Sequence, residues 1–146
     1  MNPDDLKHFS LMAEFSEEDR EALAEMLEER VLPNGKSAFR EGSEAEGLVL
    51  LEKGRLKLKS GRRGGVICSL QAPEHLGAAS LFAFGKREVT ALADGACTIW
   101  VLPRSGMARL LNDAPRAAYR LAEATAGELG GLLRTGTDLL SEAELE

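Results

Sequence analysis

The chain has 146 residues, 24 acidic and 18 basic side chains, and a formal net charge of −6. Apolar residues make up 44 % and charged residues 29 %, the balance of one folded domain with a real core rather than of a disordered segment. The acidic balance and an aromatic content of 5 % argue against a free-standing nucleic-acid binder, which needs a basic face and rings on which bases stack.

The N-terminus, MNPDDLKHFS, lacks the basic and apolar regions of a secretory signal. No apolar run approaches the ~18 residues of a membrane-spanning helix, so the expected location is cytoplasmic. Asn2-Pro3-Asp4-Asp5 reads as a helix start, with proline in the first turn and acids at the positive end of the dipole. Ser16-Glu17-Glu18-Asp19 repeats that signal, and Leu23, Met26, Leu27 and Val31 follow at helical spacing. The expectation is a helical region over 1–31, closed by Pro33-Asn34-Gly35.

From Lys36 short apolar runs alternate with glycine turns. Leu48-Val49-Leu50-Leu51 ends at Lys53-Gly54, and Arg55-Leu56-Lys57-Leu58-Lys59 alternates with period two. Gly61 to Gly65 reads as a hairpin tip, Val66 to Leu70 as its returning strand, and 91–102 as further strand turning near Asp94-Gly95-Ala96. Many short strands of this kind predict a mainly β fold, a jelly-roll or β-roll over 32–104, with N-terminal helices and a C-terminal helix. Cys68 and Cys97 each fall in a strand and read as small buried hydrophobes in a reducing compartment, the alternative being a disulfide or redox switch.

Helix resumes near Ser105 with Met107, Leu110 and Leu111, and breaks at Asn112-Asp113-Ala114-Pro115. The last helix is expected from about Pro115 to Leu133, with Leu121, Thr125, Leu129, Leu132 and Leu133 as an apolar stripe. Gly127 and Gly131 either admit close approach by the roll or a second subunit, or fray the helix. The acidic 135–146 is expected to be a loose tail beyond a domain at 1–134.

Chemistry is sparse. His8 and His75 are the only histidines, too few for a roll-type metal centre, so no metal is expected. His75 is the one candidate base; Ser80 follows it without an oxyanion motif, so His75 reads as a pocket-edge or surface residue, and an enzyme is disfavoured. The segment LGAASLFAFGKREVTALA, Leu76 to Ala93, is more informative. Gly77 permits close backbone approach, Ala78 to Phe82 can form a helical turn, and Arg87 offers a planar fork for a phosphate.

In order along the chain, Phe15-Ser16-Glu17-Glu18, Pro33-Asn34-Gly35 with Phe39-Arg40-Glu41-Gly42, Leu48 to Gly54, Leu70 to Gly77 and Val101-Leu102-Pro103-Arg104 resemble the cyclic nucleotide-binding domain family over roughly residues 6–133. The resemblance implies a β-roll that binds cyclic AMP or cyclic GMP and passes the event to its C-terminal helix. It implies a phosphate-binding cassette in which Gly77 matches the family's glycine and Arg87 its phosphate-pairing arginine. Ala78 stands where the family has a ribose-binding glutamate. Glu88 and Val89 occupy positions usually small, and Thr90 matches the small or hydroxyl position. Glu88 thus brings a negative charge beside the phosphate, and Phe82 and Phe84 add bulk that fills the pocket from inside. Without a ligand, Arg87 would instead pair with Glu88 or Glu74.

Three functions follow as expectations. The first is a sensor module that binds cyclic AMP, cyclic GMP or another small anion weakly and relays it through the last helix. The second is a degenerate, non-binding domain serving as a protein-interaction or dimerisation module through that helix. The third is a transcription regulator, disfavoured because about 13 residues follow Leu133, too few for a DNA-binding domain.

Overall fold

The computed structural model describes residues 1–62 and 64–145. Eight strands, β1 (Glu28–Leu32), β2 (Ser37–Phe39), β3 (Gly47–Lys53), β4 (Arg55–Ser60), β5 (Gly65–Gln71), β6 (Glu74–Leu76), β7 (Thr90–Ala93) and β8 (Cys97–Pro103), form two antiparallel sheets ordered β1-β8-β3-β6 and β2-β7-β4-β5. The expected jelly-roll with flanking helices is the observed architecture.

The uninterrupted apolar run in β3 has a simple cause. Leu48 and Leu50 join the helix-side core with Leu6, Met12, Leu23 and Leu110, while Val49 and Leu51 face the interior of the roll with Leu56, Ile99 and Val101. A strand covered on both faces needs no polar alternation.

The N-terminal region departs from the expectation of helix over 1–31. Two 3₁₀ segments, Pro3–His8 and Ser10–Met12, precede helix α1 (Glu17–Met26). Ser16 and Asp19 form a reciprocal capping box at the start of α1. Residues 28–32 form β1 instead of a further helical turn, because each pairs with β8, Val31 opposite Thr98. Long-range ladder bonds outweigh the local helical spacing, and Val31 ends 63 % exposed.

Two helices follow the roll, α2 (Arg104–Asp113) and α3 (Pro115–Leu145). The tail expected to be loose is therefore helical as far as Leu145, as its Leu, Glu and Ala content with no proline permits; Glu146 lies outside the described residues, as does Arg63 of the hairpin tip. Ala117, Ala118, Leu121 and Thr125 dock α3 on the body. Near its start Arg120 pairs with the buried Asp19 at 3.0 Å and donates to the Glu14 carbonyl at 3.0 Å. Gly127 and Gly131 neither receive a close neighbour nor end the helix: a Cβ on either would meet open space. Cys97 is buried as expected, but Cys68 is exposed on β5, and both thiols are free. No described helix is long and apolar enough to cross a membrane.

Candidate functional site: a buried arginine between two clefts

The cassette begins where β6 ends. Gly77 turns the chain with φ +76°, Ala78–Leu81 form one 3₁₀ segment, and the chain returns through Lys86 and Arg87 to β7. The returning limb is zipped to the loop ahead of β3. Arg87 N donates to the Ser43 carbonyl at 2.8 Å, Gly42 N to the Arg87 carbonyl at 2.8 Å, and Ala45 N to the Gly85 carbonyl at 3.0 Å. This backbone clamp aims the Arg87 side chain into the molecule.

Arg87 is 8 % exposed, and its guanidinium lies over the Phe39 ring, 4.2 Å from its centroid. Nη2 donates to the Gly47 carbonyl at 2.9 Å. Nε is buried and bonds to nothing among the described residues. Gly77 leaves room for this group, since a Cβ there would overlap Nη1. Burial pulls the Arg87 pKa below its ordinary value, and the nearby Glu46 carboxylate opposes that effect. A buried cation holding an unused donor is costly to leave unpaired.

Two clefts meet at Arg87 and Phe39. One, of about 270 Å³, lies among Arg30, Ser43, Glu46, Val49 and Val101. The other, of about 420 Å³, lies along the cassette against Gly77, Ala79, Ser80, Glu88 and Val89. These volumes straddle the lower end of the range for small-molecule pockets, ~300 Å³.

Gly77, Arg87, Glu88 and Val89 thus line one cleft. Ala78 is not among its lining residues; it is 2 % exposed and packs in the helix-side core. Glu88 is exposed. The Thr90 hydroxyl accepts a hydrogen bond from Glu41 N at 2.9 Å, so it ties β7 to the segment after β2. The expected filling of the pocket by phenylalanines does not occur. Phe82 is 47 % and Phe84 94 % exposed; Phe84 lines the mouth of the cassette cleft, with the Arg104 guanidinium 4.0 Å from its ring centroid. Arg87 pairs with neither Glu88 nor Glu74; its partner is the Gly47 carbonyl.

Several contributors escape a reading of the sequence. Phe39, Glu46 and Gly47 reach Arg87 only through the fold, about forty positions apart along the chain. Arg104, at the start of α2, donates to the carbonyls of Ser80 at 2.8 Å and Ala83 at 3.0 Å, gripping the cassette. His75, expected at a pocket edge or surface, has a side chain only 8 % exposed, and its Nε2 lies 2.7 Å from Glu128 of α3. The cassette is therefore tied directly to α2, and β6, which leads into it, to α3.

Two four-stranded antiparallel sheets between flanking helices, with a buried arginine on the segment that joins β6 to β7, define a jelly-roll of the regulatory-domain class. The cyclic nucleotide-binding domain model matches residues 29–114, and the chain belongs to that family. It is 28 % identical over 114 residues to a cAMP-dependent protein kinase regulatory subunit of Debaryomyces hansenii, covering 78 % of this chain and 25 % of the relative. The chain thus spans a quarter of that curated protein. Among solved structures, the N-terminal domain of a transcriptional regulator from Streptomyces coelicolor superposes with a TM-score of 0.79 at 26 % identity, covering 88 % of this chain and 94 % of that one. The catabolite activator protein of Thermus thermophilus gives 0.73 at 27 % identity, covering 90 % and 62 %.

Proposed function

We propose that this domain binds a cyclic nucleotide, cyclic AMP or cyclic GMP, with its cyclic phosphate on Arg87 and the Gly77 backbone, and relays occupancy to α3. The observation that carries this reading is the buried, unpartnered Nε of Arg87 at the junction of two clefts. A phosphate supplies the acceptor that Nε lacks. Alanine at position 78 removes the family's ribose acceptor, which costs about 1.5–3 kcal/mol or roughly ten- to a hundred-fold in affinity. Weak binding, from micromolar towards millimolar, is the expected regime. Thermal unfolding with millimolar cyclic AMP, cyclic GMP and inorganic phosphate tests it. Ligand at 100 times its dissociation constant stabilises by about 2.7 kcal/mol. The absence of a shift with both nucleotides would refute the reading.

The relay in this reading runs through Arg104 to α2 and through His75–Glu128 to α3. The far half of α3 then acts on a second copy of the chain. Leu129, Leu132, Leu133, Leu139 and Leu140 are 44–73 % exposed, and the pair Leu132-Leu133 repeats after one heptad at Leu139-Leu140, the spacing of a helix seam. The double substitution Leu132→Glu and Leu139→Glu is expected to turn a concentration-dependent dimer into a monomer in sedimentation velocity. A wild-type protein that remains monomeric up to its solubility limit excludes the dimer.

A further inference from the structure

The most strongly basic segment of the chain lies outside the cassette. From Lys53 to Pro73 the sequence holds six lysines and arginines and no acid. This segment carries +6 while the whole chain carries −6, so the rest holds −12. It runs from the last residue of β3 through β4 and β5. Arg55 and Lys57 are engaged by Asp94 at 3.2 and 3.6 Å, and the Glu41 carboxylate accepts from Gly61 N at the tip. Lys59 and Arg62 are exposed and have no carboxylate partner among the described residues.

β5 adds a second feature. It is the outer strand of its sheet and pairs only with β4. Gly65 to Ser69 are exposed, with Val66 at 54 % and Ile67 at 44 %. Its sequence, GVICSLQ, contains no charge and no proline, the devices that ordinarily block an open edge from pairing. Unpaired backbone donors and acceptors, exposed β-branched side chains and a basic flank occur together.

We propose that the β4–β5 hairpin is a docking edge for an acidic, extended segment of a partner protein, which adds to the sheet as a strand beside β5. Main-chain hydrogen bonds supply affinity in this mode, and Lys59 and Arg62 select the charge. A nucleic acid fits less well, because residues 53–73 contain no aromatic ring for stacking. A bilayer fits less well, because an open edge cannot be satisfied in lipid. A second copy fits less well, because two basic hairpins repel and the acids Asp138, Glu142 and Glu144 are held in helix.

Fluorescence polarisation of the whole chain with a short labelled peptide of alternating glutamate and valine tests this. Saturable binding is expected, weakened about tenfold or more by Lys59→Glu with Arg62→Glu, and weakened likewise by proline at alternate peptide positions, which removes the N–H groups the edge must pair. Both lysine and arginine sites are exposed, so the fold should survive, as a circular dichroism melt can verify. The proposal is overturned by lack of binding, by equal binding of the proline peptide, or by tighter binding of oligothymidylate or phosphatidylserine vesicles. Self-association through the hairpin, abolished by the same charge reversals in the absence of peptide, would also overturn it.

Discussion

Gly47→Ala is expected to destabilise the domain by about 3–5 kcal/mol, a large fraction of the ~5–15 kcal/mol that holds a domain together. Gly47 has φ +153°, a backbone conformation that a residue with a side chain rarely adopts. It begins β3 opposite Pro103 of β8. A Cβ at this position would overlap the Leu102 carbonyl oxygen and approach Pro103 Cα to 3.1 Å. Both obstacles are backbone of β8, which lies between β1 and β3 in its sheet, so neither can swing aside as a side chain would. The β3–β8 ladder must open at its end, and the carbonyl that anchors Arg87 moves with it. Urea unfolding measures the effect. With a slope of ~1–3 kcal/mol/M for a small protein, the midpoint should fall by about 2 M. A fall within a few tenths of a molar would show that β3 and β8 are not held together at this point.

Arg87→Ala should separate binding from stability. In the proposed nucleotide complex it removes charge-assisted hydrogen bonds to the phosphate, each worth about 1.5–3 kcal/mol, so the dissociation constant of a cyclic nucleotide should rise about a hundred-fold. In the free domain two effects oppose each other. The Gly47 carbonyl loses its donor and Phe39 its cation, a cost of about 1–2 kcal/mol, while the desolvation of a buried charge is relieved. Net destabilisation should therefore stay near 1 kcal/mol. Arg87→Lys keeps the charge but loses the planar fork that reaches the Gly47 carbonyl while lying on Phe39, and should recover only part of the affinity. Titration calorimetry and urea unfolding on the same three proteins give both numbers. An arginine that serves only to hold the loop would show unchanged affinity and a larger loss of stability.

Much of the architecture is legible because its signals are local. Period two in Arg55 to Lys59, the glycine turns and the capping signal at Ser16 each state a conformation within a few residues, and all three appear in the structure. The mistaken extension of helix through Val31 marks the boundary of such reasoning. Residues 27–31 present a helical face, yet the ladder to β8, some seventy positions away, decides their state. The helical tail illustrates the opposite error. Acidic composition suggested a loose segment, but leucine, alanine and glutamate without proline sustain the helix as far as Leu145.

By itself the sequence determined the family and placed the candidate cassette. Gly77 and Arg87 stand ten residues apart in one segment, and a motif confined to one segment can be read without knowing what surrounds it. The tertiary structure alone decided what that arginine meets. The Gly47 carbonyl, the Phe39 ring and the Glu46 charge lie about forty positions upstream, and Arg104 grips the cassette from some twenty positions beyond it. The same holds for His75, whose role is set by Glu128, 53 residues away. Burial and pairing are properties of what the chain brings together in space. They turned Arg87 from a basic residue after an apolar insert into a desolvated cation with a donor to spare.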